Sequence, residues 1–169
     1  TGDTDMSMAV FEYSCKALIY NNELTGDTAY LTNIWQITDP QYKGQFSMKD
    51  PYSEGVNFNF FTMLTRDDIA AELADAYKAY YGKDIELTTE NAGYEFIKAV
   101  YENGVVLGTS DTKISEAVGA KGQASTWVGF FSVQRFATAA DKDLALAMNT
   151  EMAPFVGYYY PIRSIILNN

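Results

Sequence analysis

Hydrophobic positions recur with a period of about 3.6 residues in part of the chain, and this period predicts helices. The clearest such segment is residues 67–81, where Ile69 and Leu73 share one face and Gly82 follows as a residue that ends helices. Thr65 is placed to cap this helix. An apolar face predicts a second helix over 89–103, and signals typical of helix starts predict further helices over 56–64, 112–119 and 141–149.

Segments rich in β-branched and aromatic residues, bounded by turn residues, predict the strands. They cover residues 8–20, 45–48, 104–108, 124–133 and 155–167. We expect the segment 104–108 to be buried. Strands and helices alternate over most of the chain, which favours an α/β domain with a mixed sheet. No repeat or low-complexity linker divides the sequence, so we interpret residues 1–169 as a single domain.

Charge and composition exclude several classes of function. The formal net charge is −10, from 12 lysines and arginines against 22 acidic residues, which disfavours binding to nucleic acid and to anionic membrane surfaces. The sequence contains no histidine, so catalytic triads that need one are excluded and a zinc or iron site is disfavoured. Cys15 is the single cysteine and cannot form an internal disulfide.

The sequence contains neither a phosphate-binding loop nor a dinucleotide-binding fingerprint. Three short segments remain as candidates for ligand binding: Ser53-Glu54-Gly55 before a helix, Trp127-Val128-Gly129 in a strand, and Tyr158-Tyr159-Tyr160 before a proline. Free N–H groups at a helix start bind anions or carbonyl oxygens, and a glycine within a strand allows close approach. Each segment also has a structural interpretation, as a helix cap, a core tryptophan or a crowded strand pair.

The segment from Trp35 to Gly55 carries a resemblance to a known family. It reads WQITDPQYKGQFSMKDP over 35–51 and then Ser53-Glu54-Gly55. This resembles the extracellular solute-binding proteins of ABC importers, in the group that carries ferric iron, polyamines, thiamine and related solutes. That family shows Asp-Pro-x-Tyr/Trp-Lys-Gly, then Asp-Pro, then a Ser/Gly pair opening a helix. Ile19-Tyr20-Asn21, the segment 110–119 and the segment 161–168 are similar to other parts of the family pattern more loosely.

The resemblance implies a three-layer lobe of the type II periplasmic-binding-protein fold, with a mixed, mostly parallel sheet flanked by helices. It covers only the second of the family's two lobes, so we expect one lobe excised from a longer protein, with hinge strands near 8–20 and 155–167. The implied function is capture of a small solute between the lobes and delivery to a membrane permease, without catalysis or a cofactor. The implied location is extracellular or periplasmic, with a lipid anchor on the full-length protein.

By the same resemblance, the solute-binding residues are expected at the three segments and at one further serine. They are Ser53, Glu54, Gly55, Ser110, Trp127, Gly129, Tyr158 and Tyr159. Phe130 and Phe131 stand where iron-binding members carry adjacent tyrosines, so no metal ligand is assigned unless the tyrosines at 158–160 substitute. Glu54 would serve a polyamine, and Ser/Gly N–H groups would serve an anionic or organic solute.

Two other functions stay open at this stage. The same pair of lobes is used for ligand sensing in receptors and regulators, which predicts a signalling or DNA-binding segment elsewhere in the full chain. The other is a small α/β enzyme with Glu54 or Asp111 as the base, which the absence of histidine and of a nucleophile motif disfavours.

Overall fold

A five-stranded sheet forms the centre of the molecule in a computed structural model, which describes residues 8–26 and 29–165. The strands are β1 (Met8–Tyr20), β2 (Phe46–Lys49), β3 (Val106–Gly108), β4 (Val128–Ser132) and β5 (Gly157–Ile165). Their order across the sheet is β3-β2-β4-β1-β5. β2 is parallel to β3 and β4, whereas β1 is antiparallel to β4 and β5, so β1 alone runs against the others. Residues 166 and 167 of the last predicted strand lie outside the described residues.

Helices cover both faces of this sheet. They are α1 (Gly55–Leu64), α2 (Asp67–Tyr81), α3 (Ala92–Glu102) and α4 (Asp111–Gly119). The first three share a core with one face, which includes Phe60, Phe96 and Phe130. α4 packs on the other face, where Val118 joins a smaller core with Phe131. The three-layer α/β architecture expected from the resemblance is confirmed.

β4 lies at the centre of the sheet and is buried along its whole length. Its consecutive residues Phe130 and Phe131 belong to the two cores on opposite faces, as side chains in a strand alternate. A strand covered on both faces has no polar face, which explains why it appears in the sequence as a continuous apolar run.

The limits of α2 are those predicted, but its first turn differs from the expectation. Gly82 ends the helix with a φ of 72°, a left-handed conformation that glycine adopts without strain. Thr65 does not cap the helix, because Arg66 occupies the position before it and the Thr65 hydroxyl donates instead to the Thr62 carbonyl at 2.9 Å.

Two other expectations are wrong. Residues 141–143 form a turn and 144–149 are irregular instead of helical, because their N–H groups bond to neighbouring elements: Ala145 donates to the Gly119 carbonyl at 2.8 Å and Ala147 to the Tyr20 carbonyl at 3.0 Å. Asp143 also has a φ of 52°, which breaks a right-handed helix. The segment 104–108 is not buried, because β3 is an edge strand and leaves its apolar side chains exposed.

Candidate functional site

The carboxyl ends of the three parallel strands β2, β3 and β4 lie together at one end of the sheet. We call this end the carboxyl edge; it runs across the strands and is not one of the outer strands. α1 begins shortly after β2 ends, and α4 begins shortly after β3 ends. In open α/β sheets this is the place where ligands bind, because loops and helix N-termini converge there. The opposite edge, where the same strands begin, we call the amino edge.

A buried lysine organises the carboxyl edge. Lys16 lies on β1 directly opposite Ser132, the last residue of β4, and is 1% exposed. Its Nζ donates to Glu54 Oε2 at 2.6 Å and to Asp111 Oδ1 at 3.0 Å. Because Glu54 precedes α1 and Asp111 begins α4, one ammonium group joins the starts of two helices that lie on opposite faces of the sheet.

The remaining oxygens of both carboxylates are also occupied. Glu54 Oε1 accepts from Lys49 Nζ at 2.9 Å, and Asp111 Oδ2 accepts from the Ser132 N–H at 3.0 Å. Two ammonium groups and two carboxylates therefore balance in what we call the Lys16 cluster: Lys16, Lys49, Glu54, Asp111 and Ser132. Neither acid has an oxygen without a hydrogen bond.

Glu54 stays ionised in this surrounding. Burial alone would raise the pKa of its carboxyl, but hydrogen bonds from Lys16 and Lys49 and the charges of both lysines outweigh burial and hold the pKa below its ordinary value. A carboxylate with a lowered pKa is a weak base at neutral pH, so Glu54 is suited to hold charge and poorly suited to accept a proton.

Aromatic rings border the cluster on the α1 side of the sheet. Tyr158 on β5 is the cross-strand partner of Lys16, so the two side chains share a face. The Tyr158 ring lies 6.0 Å from that of Phe60 and is stacked with Tyr160 at 6.2 Å between centroids. Tyr159 points to the other face, where it stacks on Tyr13 at 4.9 Å.

The predicted segment at the start of α1 lies at the carboxyl edge. Glu54 makes no side-chain hydrogen bond to the helix N–H groups, since its carboxylate is engaged by lysines. The Ser53 hydroxyl is exposed and donates to the Asp50 carbonyl at 2.9 Å. Gly55 has open space where a Cβ would stand. The helix start is therefore accessible to a ligand and is not closed by its own side chains.

Ser110 reaches the same edge from the other face of the sheet. Its Oγ accepts from the Lys113 N–H at 3.2 Å and so caps α4. This cap fixes the first turn of the helix and with it Asp111.

Trp127 and Gly129 lie at the other end of β4, near the amino edge. The Trp127 carbonyl accepts from the Asn21 N–H at 2.9 Å. A Cβ on Gly129 would stand 2.7 Å from the Phe131 ring and 3.0 Å from Val118, so close packing accounts for this glycine. The structure therefore separates these two residues from the Lys16 cluster by the length of the strand.

Four members of the Lys16 cluster were missing from the sequence-based set of solute-binding residues: Lys16, Lys49, Asp111 and Ser132. From the sequence, Asp111 is a candidate site residue only as the base of an enzyme. The available signal was Lys16 itself, a lysine inside an apolar strand, because a buried lysine requires charged partners. The partners come from positions 38 and 95 residues away, and spacing along the chain does not reveal them.

Within residues 8–26 and 29–165, no group of three or more acidic, histidine or cysteine side chains is arranged to hold a metal ion. None of the helices described here has the length and apolar character to cross a bilayer.

Comparison with known proteins identifies the fold. No protein-family model matches the chain, and no curated protein sequence matches it. Among solved structures, the periplasmic binding protein P5PA is similar with a TM-score of 0.58 and 21% identity, over 95% of this chain and 44% of that one. A Bordetella parapertussis protein assigned as an extracellular solute-binding protein has a TM-score of 0.52 and 15% identity, over 94% of this chain and 44% of that one.

A third similar structure is a two-component-system protein that mediates signal transduction, with a TM-score of 0.54 and 14% identity, over 95% of this chain and 46% of that one. The chain thus spans less than half the length of each of these structures. At such identities the likeness shows the fold, which is the α/β architecture found in the lobes of periplasmic binding proteins.

Proposed function

We propose that the chain is one lobe of a solute-binding protein of an ABC importer, in the type II group that carries ferric iron, polyamines, thiamine and related solutes. The lobe captures a small solute at its carboxyl edge, a second lobe closes over it, and a membrane permease receives it. The observation that carries this proposal is the position of the Lys16 cluster, at the point where two paired strands leave the sheet.

Those two strands are β1 and β5, which pair from Met8 opposite Ile165 to Ala17 opposite Gly157. β1 pairs with β4 only from Lys16 onward, so residues 8–15 and their partners extend beyond the carboxyl edge as a two-stranded ribbon. Two adjacent strands leaving on one side are what a hinge to a second lobe needs. The chain's span of less than half of similar structures supports the same proposal.

The charge balance of the Lys16 cluster bears on the charge of the solute that could bind beside it. A polyamine would need a free carboxylate, whereas both oxygens of Glu54 already hold lysines. We therefore favour a neutral or anionic solute. It would contact the start of α1 and the partly exposed Lys49, and it would pack on Tyr158 and Tyr160. The expected extracellular or periplasmic location and the lipid anchor belong to the same proposal.

A ligand-sensing lobe is the second candidate, favoured by the likeness to the two-component-system protein. The carboxyl edge and the ribbon serve sensing as well as transport. The full-length sequence distinguishes the two, because a sensor carries a signalling or DNA-binding segment and a transport protein does not. The enzyme alternative loses support because both of its proposed bases, Glu54 and Asp111, are held in ion pairs with Lys16.

A solute screen by thermal shift and calorimetry, run on this chain and on the longer protein that contains it, tests the proposal. We expect a solute to bind the longer protein and to bind this lobe much more weakly, since half of the contacts are absent. Micromolar binding by the lobe alone would argue against an interlobe site.

Neighbouring tyrosines provide a matched pair of variants for that screen. In the longer protein, Tyr160→Leu should weaken solute binding because Tyr160 lies on the face of the Lys16 cluster. Tyr159→Leu should leave binding unchanged because Tyr159 lies on the opposite face. Equal losses in both variants would contradict the assigned face.

A further inference from the structure

A groove between α1 and α3 has an unusual lining. Its volume is about 490 Å³, within the range typical of small-molecule sites. Five aromatic side chains line it: Tyr52, Phe58, Phe61, Tyr94 and Tyr101. None of the lining residues belongs to the Lys16 cluster, although Pro51 and Tyr52 come directly before Ser53 at the start of α1. The groove, which we call the aromatic groove, therefore has its own lining beside the proposed solute site.

The aromatic rings of the groove are exposed to water to a degree that core packing does not explain. Tyr52 is 91% exposed and Phe58 is 54% exposed, and the two tyrosines of α3 are partly exposed beside them. Phe61 and Tyr101 meet edge to face at 6.3 Å, which holds two of the rings in place across the groove. Concentrated exposed apolar surface of this kind marks a binding site more often than a fold requirement.

The groove offers few hydrogen-bond donors. The hydroxyls of Thr62 and Thr65 both donate to carbonyls of their own segment, of Phe58 at 3.0 Å and of Thr62 at 2.9 Å. Among the described residues, no charged side chain lines the groove. Apart from the tyrosine hydroxyls, the lining therefore presents ring faces and apolar surface, which suits a ligand that needs no hydrogen bonds.

The electrostatic surroundings of the groove favour a positive charge. Asp50 lies at the rim, where its Oδ1 accepts from the Tyr52 N–H at 2.9 Å. Burial, and then the Asp50 charge, raise the pKa of the Tyr101 hydroxyl, so this carboxylate acts within the groove. Arg66, next along the chain from the groove, is paired with Asp68 at 2.6 Å. The whole chain carries a formal charge of −10.

We infer that the aromatic groove binds a small organic cation of the quaternary ammonium class. The ammonium group of such a cation has neither an N–H to donate nor a lone pair to accept with, so a lining that offers ring faces and few hydrogen-bonding groups suits it. Its positive charge is attracted to the faces of aromatic rings and to the nearby carboxylate. Its methyl groups cover the exposed rings.

Ligand-observed NMR and calorimetry with choline and with 3,3-dimethylbutan-1-ol, its uncharged carbon analogue, test this inference. We expect choline to bind this chain about tenfold more tightly than the alcohol, because only choline gains the cation–π attraction. Tyr101→Leu should reduce choline binding about tenfold, and Asp50→Asn should reduce it less because the amide oxygen still accepts from the Tyr52 N–H. Tyr13→Leu, an exposed tyrosine outside the groove, is the control and should change nothing.

Three results would overturn the inference. Equal binding of choline and the alcohol would show that the groove recognises apolar surface and not a positive charge. Choline binding that survives Tyr101→Leu and Tyr94→Leu but is lost in Tyr160→Leu would place the cation at the carboxyl edge. Concentration-dependent self-association that Phe58→Ser abolishes, with no choline binding, would make a second copy of the chain the occupant. The first and third results leave the proposed solute site untouched, whereas the second would replace the neutral or anionic solute proposed there by a cation.

Discussion

Polar side chains are buried at both the amino edge and the carboxyl edge of the central sheet, but their hydrogen-bond partners differ. At the amino edge, Asn21 is 2% exposed, and its Nδ2 donates to the carbonyls of Val118 and Ala120 at 2.9 and 2.8 Å. At the carboxyl edge, Lys16 is buried to a similar degree, but its partners are carboxylates from two helices. One edge is closed by neutral hydrogen bonds to the backbone, and the other is held by charges.

This difference separates a structural role from a functional one. A buried amide bonded to carbonyls satisfies backbone groups that any loop must satisfy. Buried charges lose their hydration, and apolar side chains of similar volume often stabilise a fold as well or better. The Lys16 cluster is therefore not what stability alone would favour, and its position at the carboxyl edge agrees with a binding site.

The largest expected effect comes from removing the central charge of the cluster. Lys16→Met should lower the free energy of unfolding by about 3–5 kcal/mol, because Glu54 and Asp111 would be left close together without their shared cation. Urea denaturation at neutral pH measures this. Lys78→Met, which breaks the exposed pair with Asp84, is the matched control and should leave the midpoint unchanged.

A triple variant sharpens that test. Neutralising both acids together with the lysine, as Lys16→Met, Glu54→Gln and Asp111→Asn, should recover part of the lost stability, since Lys49 is then the one charge left in the cluster and its partly exposed side chain keeps contact with water. A loss below about 1 kcal/mol for Lys16→Met alone would show that water already solvates the cluster, and the contrast between the edges would fail.

At the amino edge the expected effect is smaller and independent of charge. Asn21→Ala should cost about 1–2 kcal/mol, because two carbonyls lose one of the two side-chain amides that donate to them and keep that of Gln123. This loss of stability should be the same at neutral and at mildly acidic pH, because no titrating group takes part in these hydrogen bonds. Asn59→Ala, at an exposed position of α1, is the control. A strongly pH-dependent loss for Asn21→Ala would mean that the two edges are coupled.

The fold was more predictable than the site. Helix α2 is defined by local features, an apolar stripe and a terminal glycine, and its limits were predicted correctly. The segment 141–149 has similar local composition, but its N–H groups bond to β1 and to the end of α4. Those partners are distant in sequence, so the local pattern does not predict that the segment is irregular instead of helical.

At the candidate site, the sequence indicated the parts that lie next to a local signal. Glu54 precedes a recognisable helix start and belongs to the Lys16 cluster, and Tyr158 lies in a conspicuous run of tyrosines and adjoins the cluster. Side chains alternate along a strand, so Tyr158 and Tyr159 point to opposite faces. Only the register of β5 with β1 shows that Tyr158 is the one on the face of Lys16. The aromatic–glycine pair indicates Trp127 as a candidate, and only the direction of β4 shows that it lies at the amino edge.

Lowering the pH should weaken the ion pairs of the carboxyl edge and leave the neutral hydrogen bonds of the amino edge unchanged. Because the pKa of Glu54 is lowered below 4.5 in the folded protein, the unfolded chain binds this proton first. The stabilisation by Glu54 is therefore complete above about pH 5 and is lost as the pH falls through the folded-state pKa. Wild type should lose stability more steeply on acidification than Glu54→Gln. Glu95, whose pKa is lowered to about 2, contributes equally to both proteins, so their difference isolates Glu54. Parallel curves would contradict the ion pairing.

The smallest expected effects compare the serines that lie just before α1 and α4 at the carboxyl edge. Ser110→Ala should cost about 1 kcal/mol, because its Oγ is the acceptor that caps α4. Ser53→Ala should cost clearly less, since the Ser53 hydroxyl is exposed and serves only the Asp50 carbonyl. In the longer protein the order should reverse for solute binding, because Ser53 stands at the accessible start of α1 whereas the Ser110 oxygen is already engaged in its own helix. If Ser110→Ala weakened binding more than Ser53→Ala at matched stability, the solute would lie nearer α4 than α1.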